Sequence, residues 1–155
     1  MPKHTEPTAG VDPTPCNCLA LRQAARHISQ LYDQHLAEVG LRTTQYSILA
    51  KLSRLGAMPI SKLAATMVME RTALSRAIGP LERDGLVKVG AGPDGRTRSV
   101  KLTPTGQARL KAAAAPWRRA QKEFEIAVGA ADAADLRTVL QRVISVTRGP
   151  AVTSP

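Results

Sequence analysis

The sequence predicts a mainly α-helical single domain with one small β-hairpin, an α+β arrangement. Two patterns and one size carry this expectation. Apolar residues recur at three- and four-residue spacing through most of the chain. One glycine-rich turn, Gly90-Ala91-Gly92-Pro93-Asp94-Gly95, separates two short runs of strand character. The 155 residues suit one domain. With 43% hydrophobic residues, the chain has enough apolar content to form a core.

The elements follow in order. Residues 1–17 read as a flexible tail, rich in proline. A first helix spans about 18–39, with Leu21, Ala25, Ile28, Leu31, Tyr32, Leu36 and Val39 on its apolar stripe and Gly40 as its stop. Thr43 or Thr44 caps a second helix that places Ile48, Leu49, Leu52 and Leu55 on one face, before Gly56. Pro59 breaks the chain. Ile60, Leu63, Ala64 and Met67 define a short third helix.

A fourth helix covers about Arg71 to Asp84. Leu74, Ala77, Ile78 and Leu81 share its buried face, while Thr72, Ser75, Arg76, Gly79 and Arg83 fall on the other side. Gly79-Pro80 lies inside it, so a bend is expected where Pro80 crowds the carbonyl of Arg76. Glu70 is a weak cap for its start. Leu86–Val89 and Thr97–Leu102 read as the two strands of the hairpin. Thr103-Pro104 starts a long helix to about Val128, with a kink expected at Pro116. Asp132 or Asp135 starts a last helix to about residue 147, and residues 149–155 read as a second tail.

Charge narrows the function. The chain carries 22 Lys and Arg against 12 Asp and Glu, a formal net charge of +10. That surplus favours a polyanion partner. With aromatics at 3%, a base-stacking platform is excluded, and duplex DNA fits better than single strands. No apolar run reaches the ~20 residues of a spanning helix, and the N-terminus lacks the apolar stretch of a secretory signal. A cytoplasmic location is therefore expected. Two cysteines cannot form a multi-bridge secreted framework.

A short helix, a turn, a second helix and a glycine-tipped hairpin form the order of a winged helix-turn-helix. A helix fits the major groove, where short polar or Arg side chains near its N-terminal end reach base edges. Thr72, Ser75 and Arg76 are such residues, and Lys62 on the third helix and Arg71 at the start of the fourth add cations. Arg96 and Arg98 stand at the hairpin, where an arginine can enter the minor groove.

The order and spacing of several motifs resemble the MarR family of transcriptional regulators over roughly residues 18–147. These motifs include Gly40-Leu41-Arg42-Thr43-Thr44-Gln45-Tyr46, Leu74-Ser75-Arg76, Leu81-Glu82-Arg83-Asp84-Gly85-Leu86-Val87, Asp94-Gly95-Arg96 and Leu102-Thr103-Pro104-Thr105-Gly106. The resemblance implies a domain over 18–148 with its winged helix-turn-helix at about 43–102. It also implies a homodimer joined through helices at about 18–39, 104–128 and 132–147, bound to a pseudo-palindromic operator as a repressor. By the same likeness Asp94 orients an arginine and Arg96 reaches the minor groove.

Relatives of this kind respond to aromatic acids or phenols bound between the dimer helices and the DNA lobe. Arg22, Arg26, Tyr32 and Trp117 are the candidates for such a pocket: Arg suits a carboxylate, and Tyr or Trp suits a ring. The stretch from Cys18 to Arg26 also resembles the reactive-cysteine segment of the family's organic-peroxide sensors, and Tyr32 falls where they place a tyrosine that bonds the thiol. Arg22 and Thr43 depart from that pattern. Cys16 and Cys18 sit too close in sequence for an easy mutual disulfide, so a sulfenic acid or an intersubunit bond is the expected oxidation product.

Other signals point elsewhere only superficially. Gly90-Ala91-Gly92-Pro93-Asp94-Gly95 matches G-x-G-x-x-G, but a strand rather than a helix follows it, which a dinucleotide site does not allow. His4, His27 and His35 lack metal-ligand grouping, and no nucleophile–base constellation suggests an enzyme. No cofactor is expected. A helical interaction module with no DNA role stands as the rival from another class.

Overall fold

The computed structural model describes residues 15–146. His4, the C-terminal tail and all but the last three residues of the N-terminal tail lie outside them. Helix α1 spans Asn17–Leu36, and the Sγ of Cys16 caps it by accepting from the Leu19 N–H at 3.4 Å. A 3₁₀ turn, Ala37–Val39, follows, and Gly40 closes it at φ 69°. That left-handed conformation costs a glycine nothing.

Helix α2, Thr43–Leu55, has Arg42 in the cap position, so neither threonine stands there. The capping group comes from α1 instead. Asp33 Oδ1 accepts from the Thr43 N–H at 2.6 Å and from Thr43 Oγ1 at 2.7 Å. A carboxylate at a helix N-terminus satisfies an orphan donor and faces the positive end of the dipole. The first two helices are thereby joined by more than their apolar faces.

Strand β1, Met58–Pro59, leads into α3, Ile60–Met67. Val68 then turns the chain at φ 54°, a strained conformation for a β-branched residue. Helix α4, Arg71–Arg83, begins at Glu70, which makes no side-chain capping bond. It continues through Pro80 without a break, so the expected bend does not end it. Burial of Leu74, Ile78 and Leu81 holds the helix on both sides of the proline.

The wing strands are β2, Val87–Ala91, and β3, Arg98–Leu102. They form an antiparallel sheet of order β1-β3-β2, with Val89 opposite Val100 and Met58 also opposite Val100. The expected hairpin is thus a three-stranded sheet. Pro59, read as a chain break, sits on an edge strand, where a missing N–H is tolerated.

Helix α5, Pro104–Val128, starts with Pro104 in its first turn and Thr103 Oγ1 accepting from the Gly106 N–H at 3.0 Å. It passes through the buried Pro116 without interruption. Gly106 lies so close to β2 that a Cβ there would collide with the Leu86 carbonyl oxygen. Helix α6, Ala130–Val146, begins ahead of both aspartates expected to start it.

The core joins α2, α3, α4 and the sheet to the end of α1 and part of α5. Leu36, Ile48, Leu49, Leu63, Leu74, Leu81, Leu86 and Val100 are all fully buried. Each such side chain contributes roughly 1.5–3 kcal/mol relative to exposure. Among the described residues, helix α6 contributes Ala133 alone to the buried apolar set.

Candidate nucleic-acid interface

Burial of Leu74, Ile78 and Leu81 orients α4. The helical period then turns Thr72, Ser75, Arg76 and Arg83 outward, and all four are exposed. Lys62 on α3 and Arg71 at the start of α4 are exposed as well. The residues of α3 and α4 predicted to read DNA are therefore all open to solvent.

The wing is built from backbone as much as from charge. Asp94 Oδ1 accepts from the Arg96 N–H and the Thr97 N–H, each at 3.0 Å, and from Thr97 Oγ1 at 2.6 Å. These bonds, led by the Thr97 hydroxyl, hold the Asp94 carboxyl below its usual range. Gly95 supplies the left-handed residue at φ 68°, and the Gly92 N–H donates to the Thr97 carbonyl at 2.7 Å. Asp94 meets Arg96 through its main-chain N–H alone; no ion pair between Asp94 and a guanidinium occurs among the described residues. Arg96 and Arg98 remain exposed on the turn Asp94 stabilises.

Charge pairing separates this lobe from the rest. Residues 43–102 hold ten Lys and Arg against four Asp and Glu. Yet the ion pairs among the described residues all lie on α1, the 3₁₀ turn after it, α5 and α6: His35–Glu123 at 2.8 Å, Arg137–Glu125 at 3.7 Å and Arg119–Glu38. The cations of the lobe form no ion pair among the described residues, which leaves them available to phosphates.

Two of the residues proposed for an effector pocket are engaged by neighbouring side chains. Trp117 stacks on Tyr46 with ring centroids 6.0 Å apart, a packing partner that apolar spacing alone does not reveal. Tyr32 donates to Gln121 Oε1 of α5, and burial, followed by the charge of Glu125, raises its phenol pKa. Arg22 and Arg26 are exposed on α1. The cavity between the helical part and the lobe, of about 630 Å³, is lined by other residues: Ser29, Asp33, Arg42 to Gln45, Met69, Ala73, Ala77 and Pro80. Spacing gave no sign of it, because its walls come from three helices.

Cys16 and Cys18 are both free and exposed. Cys18 and Tyr32 are fourteen residues apart on one helix, roughly 21 Å by the helical rise. A bond between them of the sensor type would have to cross between two chains. Among the described residues, no group of His, Cys, Asp and Glu forms a metal cluster, and no helix is long and apolar enough to cross a membrane.

A helix-turn-helix with an exposed polar recognition face, followed by a basic wing, defines a winged helix DNA-binding protein. Comparisons with known proteins narrow the class. The MarR family model matches residues 41–96. The transcriptional regulator MosR of M. tuberculosis, solved in complex with DNA, is 38% identical, with a TM-score of 0.77 over 86% of this chain and 96% of that one. A probable transcriptional regulator from Pseudomonas aeruginosa is 28% identical, with a TM-score of 0.74 over 82% of this chain and 96% of that one. The uncharacterized HTH-type transcriptional regulator YwoH of Bacillus subtilis is 29% identical over 91 residues, which span 59% of this chain and 66% of YwoH.

The chain belongs to the MarR family: it is a DNA-binding transcriptional regulator, not an enzyme. That assignment sets aside the helical interaction module.

Proposed function

We propose that the chain acts in the cytoplasm as a homodimeric repressor that holds a pseudo-palindromic operator with two winged lobes and leaves it when a small effector binds. The observation that carries the dimer is a band of exposed apolar side chains outside the lobe. Leu19 and Leu21 of α1, Ile126 and Val128 of α5, and Leu136, Val139, Val143 and Ile144 of α6 are each at least 38% exposed. Helices so poorly buried within one chain gain stability by packing against a second copy. The dimerisation helices are α1, α5 and α6, and the winged unit is α2 to β3.

Thr72, Ser75 and Arg76 enter the major groove, with Lys62 and Arg71 on flanking phosphates. Arg96 and Arg98 follow the minor groove, positioned by Asp94. Symmetry sets the two recognition helices about 34 Å apart, one turn of DNA. The cavity between α1, α2 and α4 is the effector site: Arg42 takes the carboxylate of a small aromatic acid, and Ala73, Ala77 and Pro80 offer an apolar wall. A ligand there couples to DNA binding by favouring a lobe spacing that no longer fits.

The test is titration into a labelled duplex from upstream of the chain's own gene, beside a shuffled duplex, at near-physiological salt. Preferential binding of the native duplex, weakened by an aromatic acid in wild type but not in Arg42→Ala, is the expected result. Equal binding that fades with added salt would reject sequence-specific recognition of that site.

A second reading rests on the two exposed thiols at the start of α1, one of which caps the helix. An organic hydroperoxide would transfer oxygen to the Cys18 thiolate, leaving a sulfenic acid and an alcohol. Loss of operator binding on peroxide treatment, abolished by Cys18→Ser, is the outcome this reading expects. Unchanged binding would reject it.

A further inference from the structure

We propose that Glu82 is a positioning residue that sets the angle between the recognition helix and the wing, and so the spacing of major- and minor-groove contacts the lobe accepts. This rests on the DNA reading above. Strand β2 is an edge of the sheet. Val89 points its N–H away from β3, and the acceptor on that side is Glu82 Oε1 at 3.1 Å. The bond ties the last turn of α4 to the open edge of the wing.

Pro80 makes that tie matter. A proline at position 80 gives no N–H to the Arg76 carbonyl, and Gly79 beside it adds backbone freedom. The half of α4 that carries Thr72, Ser75 and Arg76 is therefore joined to the last turn by one backbone bond fewer. Beyond the proline, the last turn is fastened to the wing side. Leu81 is buried and its carbonyl accepts from the Leu86 N–H at 2.9 Å, while Thr103 Oγ1 donates to the Gly85 carbonyl at 2.6 Å. Two reading devices thus meet at a soft joint, and the Glu82–Val89 bond fixes the wing to one side of it.

Glu82→Ala and Glu82→Gln test this in the full-length protein. The Gln variant keeps a carbonyl acceptor for Val89, and the Ala variant does not. In the free protein, the Val89 amide should exchange about fivefold to tenfold faster in Glu82→Ala than in wild type, with Glu82→Gln near wild type. On a duplex selected for wild-type binding, one base pair is then inserted or deleted between the major-groove and minor-groove positions. Wild type and Glu82→Gln should prefer the parent spacing by about tenfold or more, and Glu82→Ala by less than about threefold.

Unchanged Val89 exchange in Glu82→Ala would overturn the proposal without any DNA. So would a uniform loss of affinity with the spacing preference intact, because that is what a merely stabilising bond gives. Failure of wild type to prefer any duplex would instead strike the DNA reading, and the exchange result would still judge the joint.

Discussion

The winged lobe and the helical part of this chain solve opposite problems. The lobe buries most of its apolar residues within one chain, Leu55 and Val68 excepted, and its cations form no ion pair among the described residues. The helical part pairs several of its charges and leaves its apolar residues exposed. A unit with a closed core and bare positive charge waits for a polyanion. A unit with neutralised charge and an open apolar band waits for another apolar surface. Under the proposed function, one region meets DNA and the other a second copy.

The largest effect should come from breaking the helical part. Leu136→Asp with Val143→Asp puts two charges on the exposed face of α6. Sedimentation should then show monomers, and operator affinity should fall about a hundredfold or more, since one lobe loses the help of the other. Circular dichroism should still report a folded lobe. Monomers that bind as tightly as wild type would erase the distinction between the regions.

Gly106→Ala strikes the lobe instead. The added methyl would meet the Leu86 carbonyl oxygen and Leu102 Cδ1, so backbone has to move. Denaturant unfolding should show a loss of about 1–3 kcal/mol. The DNA face comes next: Arg76→Ala and Arg96→Ala should each cost about 1–3 kcal/mol of specific binding. Neither should change the sedimentation of the free protein.

Smaller effects sharpen the picture inside the lobe. Val68 holds a left-handed turn that Asn tolerates better, so Val68→Asn should stabilise by about 1 kcal/mol in thermal unfolding. The smallest expected effect is that of pH on the wing. The Asp94 carboxyl is held below its usual range, so its bonds are present above the ordinary carboxylate range and are lost as pH falls through the lowered folded value. Operator binding should therefore show no Asp94-dependent step between pH 5 and 8, when Asp94→Asn and wild type are titrated side by side.

Much of this was legible in the sequence, for local reasons. Periodicity found the helices, and Thr103-Pro104 marked the start of α5 because both signals act within a few residues. The recognition face followed from the burial of Leu74, Ile78 and Leu81, since one apolar stripe defines its opposite. Strand β1 was invisible: two residues, one of them proline, have no period, and only β3 makes them a strand. The cap of α2 was misread because the capping carboxylate, Asp33, lies ten residues upstream on another helix. Pro80 and Pro116 lie inside continuous helices, as their place within apolar periodic stretches implied. The effector candidates show the limit of residue type. Residue type named Tyr32 and Trp117, but Gln121 and Tyr46 engage them, and the cavity opens elsewhere.

The division of labour between the two regions is tested most directly by the mass of the species that binds DNA. One chain weighs 16.5 kDa. Sedimentation equilibrium of the free protein and of its complex with a single operator duplex should show two chains in each, bound as one unit. A single chain that holds the duplex with full affinity and selectivity would contradict the account, because the exposed band on α1, α5 and α6 would then have no part in recognition.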